Sequence, residues 1–440
     1  MKPAAFSFRN LPASIYLAVG LGVIGSVVYA IVFLSSSSIG ADRFIETQRA
    51  RIFNLGCQYA QVFLFSCGVF ALARRHTGPA RPLAQTAAWL MFVGLAGPFV
   101  NLFVSIIEPR NLTTFFDRIG LVEGFVLLAA SILLTIAADA WRRVVPAAIL
   151  LMLLHVTSYS FPVLGEVIRD VLGNDHTVLR IYSIVREILW CGTLLFVAAA
   201  LAAGGRDLPP EPQRAASGFA IAHTSLIVRL VAAISLALMG FAAQSPGIAK
   251  LVLVIVPLVV IGTQVSLAIG VLRVDAAGVP GMPRFRLALA AAGIFWFASL
   301  QVEQLVYVIG ELWDGRLEYD DVYRLDMFSV IGPIVVAISL ALVGSAIASF
   351  AANRGNQQLA SAATARMFAF VALALGGIAL QAFMVDAGSR GSAGSIVAVS
   401  LVAGVAGVAA LVVLAGLLKR ASEQINTAPG IPPARIVSDS

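Results

Sequence analysis

Ionisable residues inside long apolar segments are the candidates for chemistry in this sequence. Glu303 lies about two turns inside a predicted membrane helix, beside Gln304. A charged carboxylate is costly away from water, so a carboxyl at this depth is suited to binding and releasing a proton. The alternative is a structural ion pair with Arg186 or Arg324. The pattern therefore predicts either proton or solute handling at Glu303 or a buried pair.

Further polar and ionisable residues extend this prediction. Tyr307 follows Glu303 by four residues and so lies on the same helix face. Glu187 lies next to Arg186 in another apolar segment. It either takes part in proton or solute handling or forms an internal ion pair. His155 is predicted within the membrane and acts either as a proton relay or as a structural histidine with satisfied hydrogen bonds.

Acidic residues also mark the outer ends of predicted helices in three similar stretches of sequence. In each stretch one helix ends in Glu, a polar connection with Arg follows, and the next helix starts near an acid. The residues predicted to form the rim of an outward-facing polar vestibule are Glu108, Glu166, Glu311, Arg324 and Asp326. For Asp326 the alternative is a helix N-terminus stabilised by the negative charge.

The elements that position these residues are membrane helices. Apolar residues make up 59% of the 440 residues and charged residues only 12%, about half the usual share for a soluble domain. Because a spanning helix needs about 20 apolar residues, the sequence predicts an all-α polytopic protein with twelve spans. The predicted spans are 13–34, 53–74, 84–106, 119–138, 144–165, 180–203, 223–243, 248–272, 285–308, 327–349, 366–385 and 394–418.

The distribution of charge predicts the orientation. The termini and the connections on their side carry 17 basic and six acidic residues, whereas acidic residues outnumber the 11 basic ones in the opposite connections. Since basic residues stay in the cytoplasm, both termini are predicted to be cytoplasmic. Basic residues are nearly all Arg, a usage compatible with a GC-rich bacterial genome. We therefore predict a multi-pass protein of the bacterial inner membrane.

The chain divides into two predicted halves. These are residues 1–205 and 218–420, joined by a cytoplasmic linker at 206–217 and followed by a disordered cytoplasmic tail at 421–440. Similar polar patterns around spans 3–4 and 9–10 predict a parallel tandem repeat of six plus six helices; independent convergence of helix ends is the alternative. The topology is similar to that of major-facilitator transporters, although "GVFALARRHTGPARP" lacks the acid of their inner-loop motif.

Several kinds of chemistry have no signature in this sequence. It contains no Walker A, zinc-protease, nucleophile-elbow or dinucleotide-binding motif. The cysteines at 57, 67 and 191 are predicted to be small buried residues without a disulfide or a metal. No cofactor, metal or catalytic residue is predicted, and the net charge of +7 is spread over the cytoplasmic face instead of forming a nucleic-acid site.

These observations favour a transporter or permease that handles a small solute or proton. The first alternative is a non-catalytic membrane subunit whose acidic outer loops bind a periplasmic or membrane protein. The second is an intramembrane enzyme acting on a lipid-linked substrate. Substrate, ion coupling and oligomeric state have no signature in the sequence.

Overall fold

In the computed structural model of this chain, every regular element among the described residues is a helix. Those residues are 11–35, 41–78, 80–96, 126–127, 129–130, 133, 176–203, 211–242, 246–314, 326–387 and 393–427.

Ten helices account for most of the described residues. They are α1 (Ala13–Ser35), α2 (Ala41–Ala73), α3 (Ala80–Leu95), α4 (His176–Ala203), α5 (Pro212–Ala242), α6 (Pro246–Ala276), α7 (Arg284–Asp314), α8 (Asp326–Asn353), α9 (Gln357–Ala387) and α10 (Ala393–Thr427). Nine of these described helices, all except α3, are long and apolar enough to cross a membrane. The architecture is that of a polytopic α-helical membrane protein.

The nine helices correspond to nine of the predicted spans, and α3 covers the start of a tenth. The predicted spans 119–138 and 144–165 lie outside the described residues, apart from a few positions of the former. The total of twelve, the tandem repeat and the side of the termini therefore stay predictions.

Helix ends differ from the predicted boundaries. Helix α5 begins at Pro212, inside the predicted linker, because proline is well suited to the first helical position. Helix α10 runs to Thr427, so the predicted disordered tail begins as helix. Ala421 and Ile425 are buried there, and the Ser422 hydroxyl donates a 2.9 Å hydrogen bond to the carbonyl of Ala216. Tertiary contact thus extends α10 beyond the apolar segment.

The chain folds as two compact units. Unit 1 comprises Met1–Leu208 and Phe295–Leu317, and unit 2 comprises Pro209–Ile294 and Glu318–Ser440. In unit 1, helix α2 contacts α1, α3 and α4, and α1 also contacts α4. In unit 2, helix α5 packs against α6 and α10, while α9 packs between α8 and α10. Helix α7 contributes its first residues to unit 2 and the remainder to unit 1.

Glycines allow the closest helix contacts in both units. A Cβ on Gly22 of α1 would overlap the side chain of Gln61 on α2, and one on Gly68 of α2 would overlap Ile15. In unit 2, a Cβ on Gly218 of α5 would lie 2.6 Å from the carbonyl oxygen of Gly270 on α6. Small residues bring helix backbones together in lipid, where packing replaces the hydrophobic effect as the force between helices.

Hydrogen bonds join four segments at one end of unit 2. Ser422 near the end of α10 bonds to the start of α5, as described above. The Glu211 amide donates to the Ala277 carbonyl in the α6–α7 turn at 2.9 Å. The side-chain amide of Asn353, the last residue of α8, donates from Nδ2 to the Gly281 carbonyl of the same turn at 3.1 Å. The charge distribution assigned all of these segments to the cytoplasmic side, and that side stays a prediction.

A buried histidine joins two elements of unit 1. His76, in the turn after α2, donates from Nε2 to the Leu201 carbonyl near the end of α4, at 3.1 Å. Burial lowers the pKa of His76 below its ordinary value, and the hydrogen bond to Leu201 raises it by a smaller amount. The turn is therefore held to α4 by a histidine that is buried in its neutral form.

This histidine makes the stability of unit 1 depend on pH. Because the folded-state pKa lies below the unfolded-state value of about 6.5, stability is complete above that value and falls as pH drops through it. We expect the thermal midpoint to fall more between about pH 7.5 and about pH 5.5 in the wild type than in His76→Asn, which keeps a donor but does not titrate. Equal pH dependence in both proteins, measured by thermal denaturation in detergent, would contradict this assignment.

Candidate functional site

Gln61 of α2 faces the neighbouring helices of unit 1. Gln61 lies where α2 meets α1 and α4, and only 4% of its surface is exposed. Gly22 of α1 has no side chain at this point, which leaves the space that the Gln61 amide occupies. Any larger residue at position 22 would displace that amide. The position of Gln61 therefore depends on a glycine in another helix.

Gln61 belongs to a buried network with two residues of α4. Its amide nitrogen Nε2 donates to Sγ of Cys191 at 3.3 Å. The Cys191 thiol in turn donates to Oε1 of Glu187 at 3.6 Å. Gln61 also hydrogen-bonds to the Glu187 side chain. We call these three residues the Gln61–Cys191–Glu187 cluster.

The spacing of residues on α4 explains why Glu187 and Cys191 lie together in this cluster. Glu187 and Cys191 are four residues apart, so both side chains lie on the same face of the helix. That face is turned inward, because Glu187 is 9% exposed and Cys191 is buried. Val185, Ile188 and Leu189 are exposed on the other side of α4. A helix with apolar residues outside and a carboxyl inside suits a position in lipid.

Arg186 acts electrostatically on the same carboxyl. It is half-buried, and its positive charge interacts electrostatically with Glu187. An adjacent residue on a helix points about 100° away, so Arg186 lies on a neighbouring face. The Glu187 carboxyl therefore has two uncharged donors on one side and a cation nearby.

The cluster can bind a proton but is not suited to nucleophilic catalysis. A nucleophilic cysteine needs a thiolate, usually beside a cation or a general base. Cys191 instead donates to a carboxyl, and a thiolate there would place two negative charges together. Cys191 is thus a hydrogen-bonding link between Gln61 and Glu187, not only the small apolar residue that the sequence predicted. All three cysteines carry free thiols.

Other polar atoms of unit 1 are buried without a hydrogen-bond partner among the described residues. They are Oδ1 of Asn54, Oγ of Ser66 and Oε1 of Gln301. Trp296 reaches α2 because Gly56 has no side chain, and its ring meets Phe53 edge-on at 5.8 Å between centroids. Buried polar atoms in lipid are expected to find a partner or water.

The structure describes two of the predicted site residues in full, Arg186 and Glu187, which are neighbours in sequence and interact electrostatically. The backbones of Glu303, Gln304, Tyr307 and Glu311 lie on α7, and Asp326 begins α8, but their side chains are outside the described part. The remaining predicted site residues, Glu108, His155, Glu166 and Arg324, also lie outside it. The vestibule and the Glu303 face therefore stay predictions.

Sequence reasoning missed two members of the cluster. Gln61 and Cys191 are uncharged, so neither stands out in an apolar segment. The available signal was the four-residue spacing between Glu187 and Cys191. Gln264 of α6, which is also uncharged, is fully buried, and neither of its amide atoms has a hydrogen-bond partner within the described residues.

No metal site was found in the described segments, where no three residues among His, Cys, Asp and Glu group together as ligands. Comparison with known proteins returned no matching family model, no matching curated protein and no matching solved structure.

Proposed function

We propose that this protein is a membrane transporter that handles a proton, or a small solute exchanged against one, at Glu187. The observation that carries this proposal is a carboxyl buried among helices and bonded to uncharged side chains from two of them. An ionisable residue within a membrane segment is a functional candidate because its burial is costly.

The cluster can satisfy Glu187 in both of its protonation states. When Glu187 is ionised, the Cys191 thiol and the Gln61 amide donate to the carboxylate, and Arg186 balances its charge. When Glu187 is protonated, its hydroxyl can donate to the Gln61 carbonyl or to Sγ of Cys191, since amides and thiols both donate and accept. A fixed ion pair would favour only the charged state.

The other residues predicted from sequence would extend a pathway for the proton or solute beyond Glu187. Glu303, Gln304, Tyr307 and His155 would supply further polar groups for the proton or solute. The acidic rim would connect them with the outside. These roles rest on sequence alone.

Proton flux through the reconstituted protein tests the role of Glu187. We expect Glu187→Gln to lower flux about tenfold or more, because an amide keeps the shape and hydrogen bonding but cannot exchange an acid proton. The full-length protein would be reconstituted in liposomes containing a pH-sensitive dye, with flux driven by a potassium diffusion potential.

Glu211→Gln is the matched control. Glu211 is a partly exposed residue that pairs with Arg214 at 3.4 Å at the start of α5, outside the cluster. Its substitution should leave flux within about twofold, since surface pairs contribute little. If Glu187→Gln folds normally and conducts like the wild type, transport at Glu187 is excluded, and the membrane-subunit hypothesis becomes the better one.

A further inference from the structure

A groove in unit 2 lies between α9 and α10, far along the chain from the cluster. Its volume is about 540 Å³. The lining residues are Ala365, Arg366, Ala369, Val412, Val413 and Gly416. One wall of the groove is therefore cationic, whereas the rest is apolar.

The two helices run antiparallel along this groove. Gly377 of α9 approaches the Ala403 carbonyl of α10, and Arg366, near the other end of α9, lies against Gly416. A Cβ on Gly416 would lie 3.4 Å from Nη1 of Arg366. The guanidinium of Arg366 therefore extends across α10 where that helix carries no side chain.

A second cation lies one turn beyond Gly416. Arg420 is exposed, and its charge acts unfavourably on Arg366. The groove lining contains no acid, and in the described segments no carboxylate forms an ion pair with Arg366. Two like charges close together at a helix surface are destabilising unless an anion binds between them.

The apolar part of the groove continues into an exposed apolar surface. Val412 in the groove lining is 51% exposed, and Phe368 of α9 is 65% exposed. Both belong to segments apolar enough to span the membrane, so this surface is suited to hydrocarbon. By the sequence-predicted span 366–385, which begins at Arg366, the guanidinium would lie at the boundary between hydrocarbon and headgroups.

We propose that this groove binds an anionic phospholipid. The phosphate would lie between Arg366 and Arg420, and an acyl chain would lie along Ala369 and Val412. Basic side chains between membrane helices recognise anionic headgroups, and each contributes about 1 kcal/mol near the surface. An inorganic anion would use only the cationic wall and an acidic peptide would not use the apolar part, so a lipid fits both features best.

Lipid selectivity in reconstituted full-length protein tests this site. Electron paramagnetic resonance would compare the restricted fraction of spin-labelled phosphatidylglycerol with that of spin-labelled phosphatidylcholine, in phosphatidylcholine bilayers. We expect the wild type to select phosphatidylglycerol and Arg366→Gln to lower this selectivity about fivefold, the change that corresponds to 1 kcal/mol.

Arg354→Gln is a charge-matched control. Arg354 lies at the end of α8, where its guanidinium is 5.1 Å from the centre of the Phe350 ring, and it does not line the groove. This variant should change selectivity by less than about twofold. Equal losses in Arg354→Gln and Arg366→Gln would show general attraction of charge and would overturn the site.

Gly416→Leu tests the shape of the groove without changing its charge. The leucine would fill the space beside Arg366, so selectivity should fall while the net charge stays the same. Millimolar inorganic phosphate should not displace the lipid; full displacement would indicate a free-anion site and contradict the proposal. Unchanged selectivity in both Arg366→Gln and Gly416→Leu would also contradict it, with folding of each variant checked by its thermal midpoint in phosphatidylcholine.

Discussion

Gly218→Leu is expected to destabilise unit 2 by about 3 kcal/mol or more, because overpacking of a tight contact forces backbones apart. The first added carbon would lie 2.6 Å from the Gly270 carbonyl oxygen and 3.0 Å from the Val274 amide nitrogen. Both are backbone atoms that cannot move aside as a side chain can. The measurement is unfolding of the purified protein in mixed micelles, followed by circular dichroism.

Gly262→Leu is the matched control on the partner helix. No atom lies within 4 Å of a Cβ at that position, which faces a groove lined also by Thr263 and Ser266. Removing a helix glycine there should stabilise the protein slightly, by up to about 1 kcal/mol. If Gly218→Leu is as stable as Gly262→Leu, the α5–α6 contact does not hold unit 2 together.

Gln61→Leu is expected to destabilise unit 1 by about 1–3 kcal/mol, because it leaves buried polar groups without their partner. The Cys191 thiol would lose its donor, and Glu187 would lose one of its hydrogen bonds. Gln358→Leu, at an exposed site on α9, should change stability by less than about 0.5 kcal/mol.

A double-mutant cycle separates the hydrogen bond from the change in volume. Combining Gln61→Leu with Cys191→Ala should give a coupling energy of about 0.6 kcal/mol, the average for hydrogen bonds between membrane helices, and no more than about 1.7 kcal/mol, their maximum. Strictly additive effects would mean that Gln61 and Cys191 do not act as a unit. Thermal denaturation of all four proteins in one detergent provides the measurement.

Hydropathy located the nine described apolar helices because the property that it measures is local. A run of apolar residues such as 331–353 favours a spanning helix whatever the rest of the chain does. Helix ends were less predictable, since they depend on contacts. Ala421 and Ile425 lie beyond the predicted last span, and α10 continues there because both are buried.

For the candidate site, too, sequence predicted only the residue with a local signal. Glu187 was found from sequence because a charge in an apolar segment is a local signal. Gln61 was not found, because its contact with Cys191 joins residues 130 positions apart and depends on the absence of a side chain at Gly22.

Sequence alone determined that this protein consists of membrane helices and that a few ionisable residues lie within them, since both follow from the cost of placing polar groups in lipid. Only the tertiary structure decided which of these residues meet. Arg366 was one of many basic residues by sequence, but the antiparallel packing of α9 and α10 places it beside Arg420 in an apolar groove. The rotation and register of packed helices depend on glycines and side-chain shapes on two helices at once, and such pairwise geometry cannot be read from either helix alone.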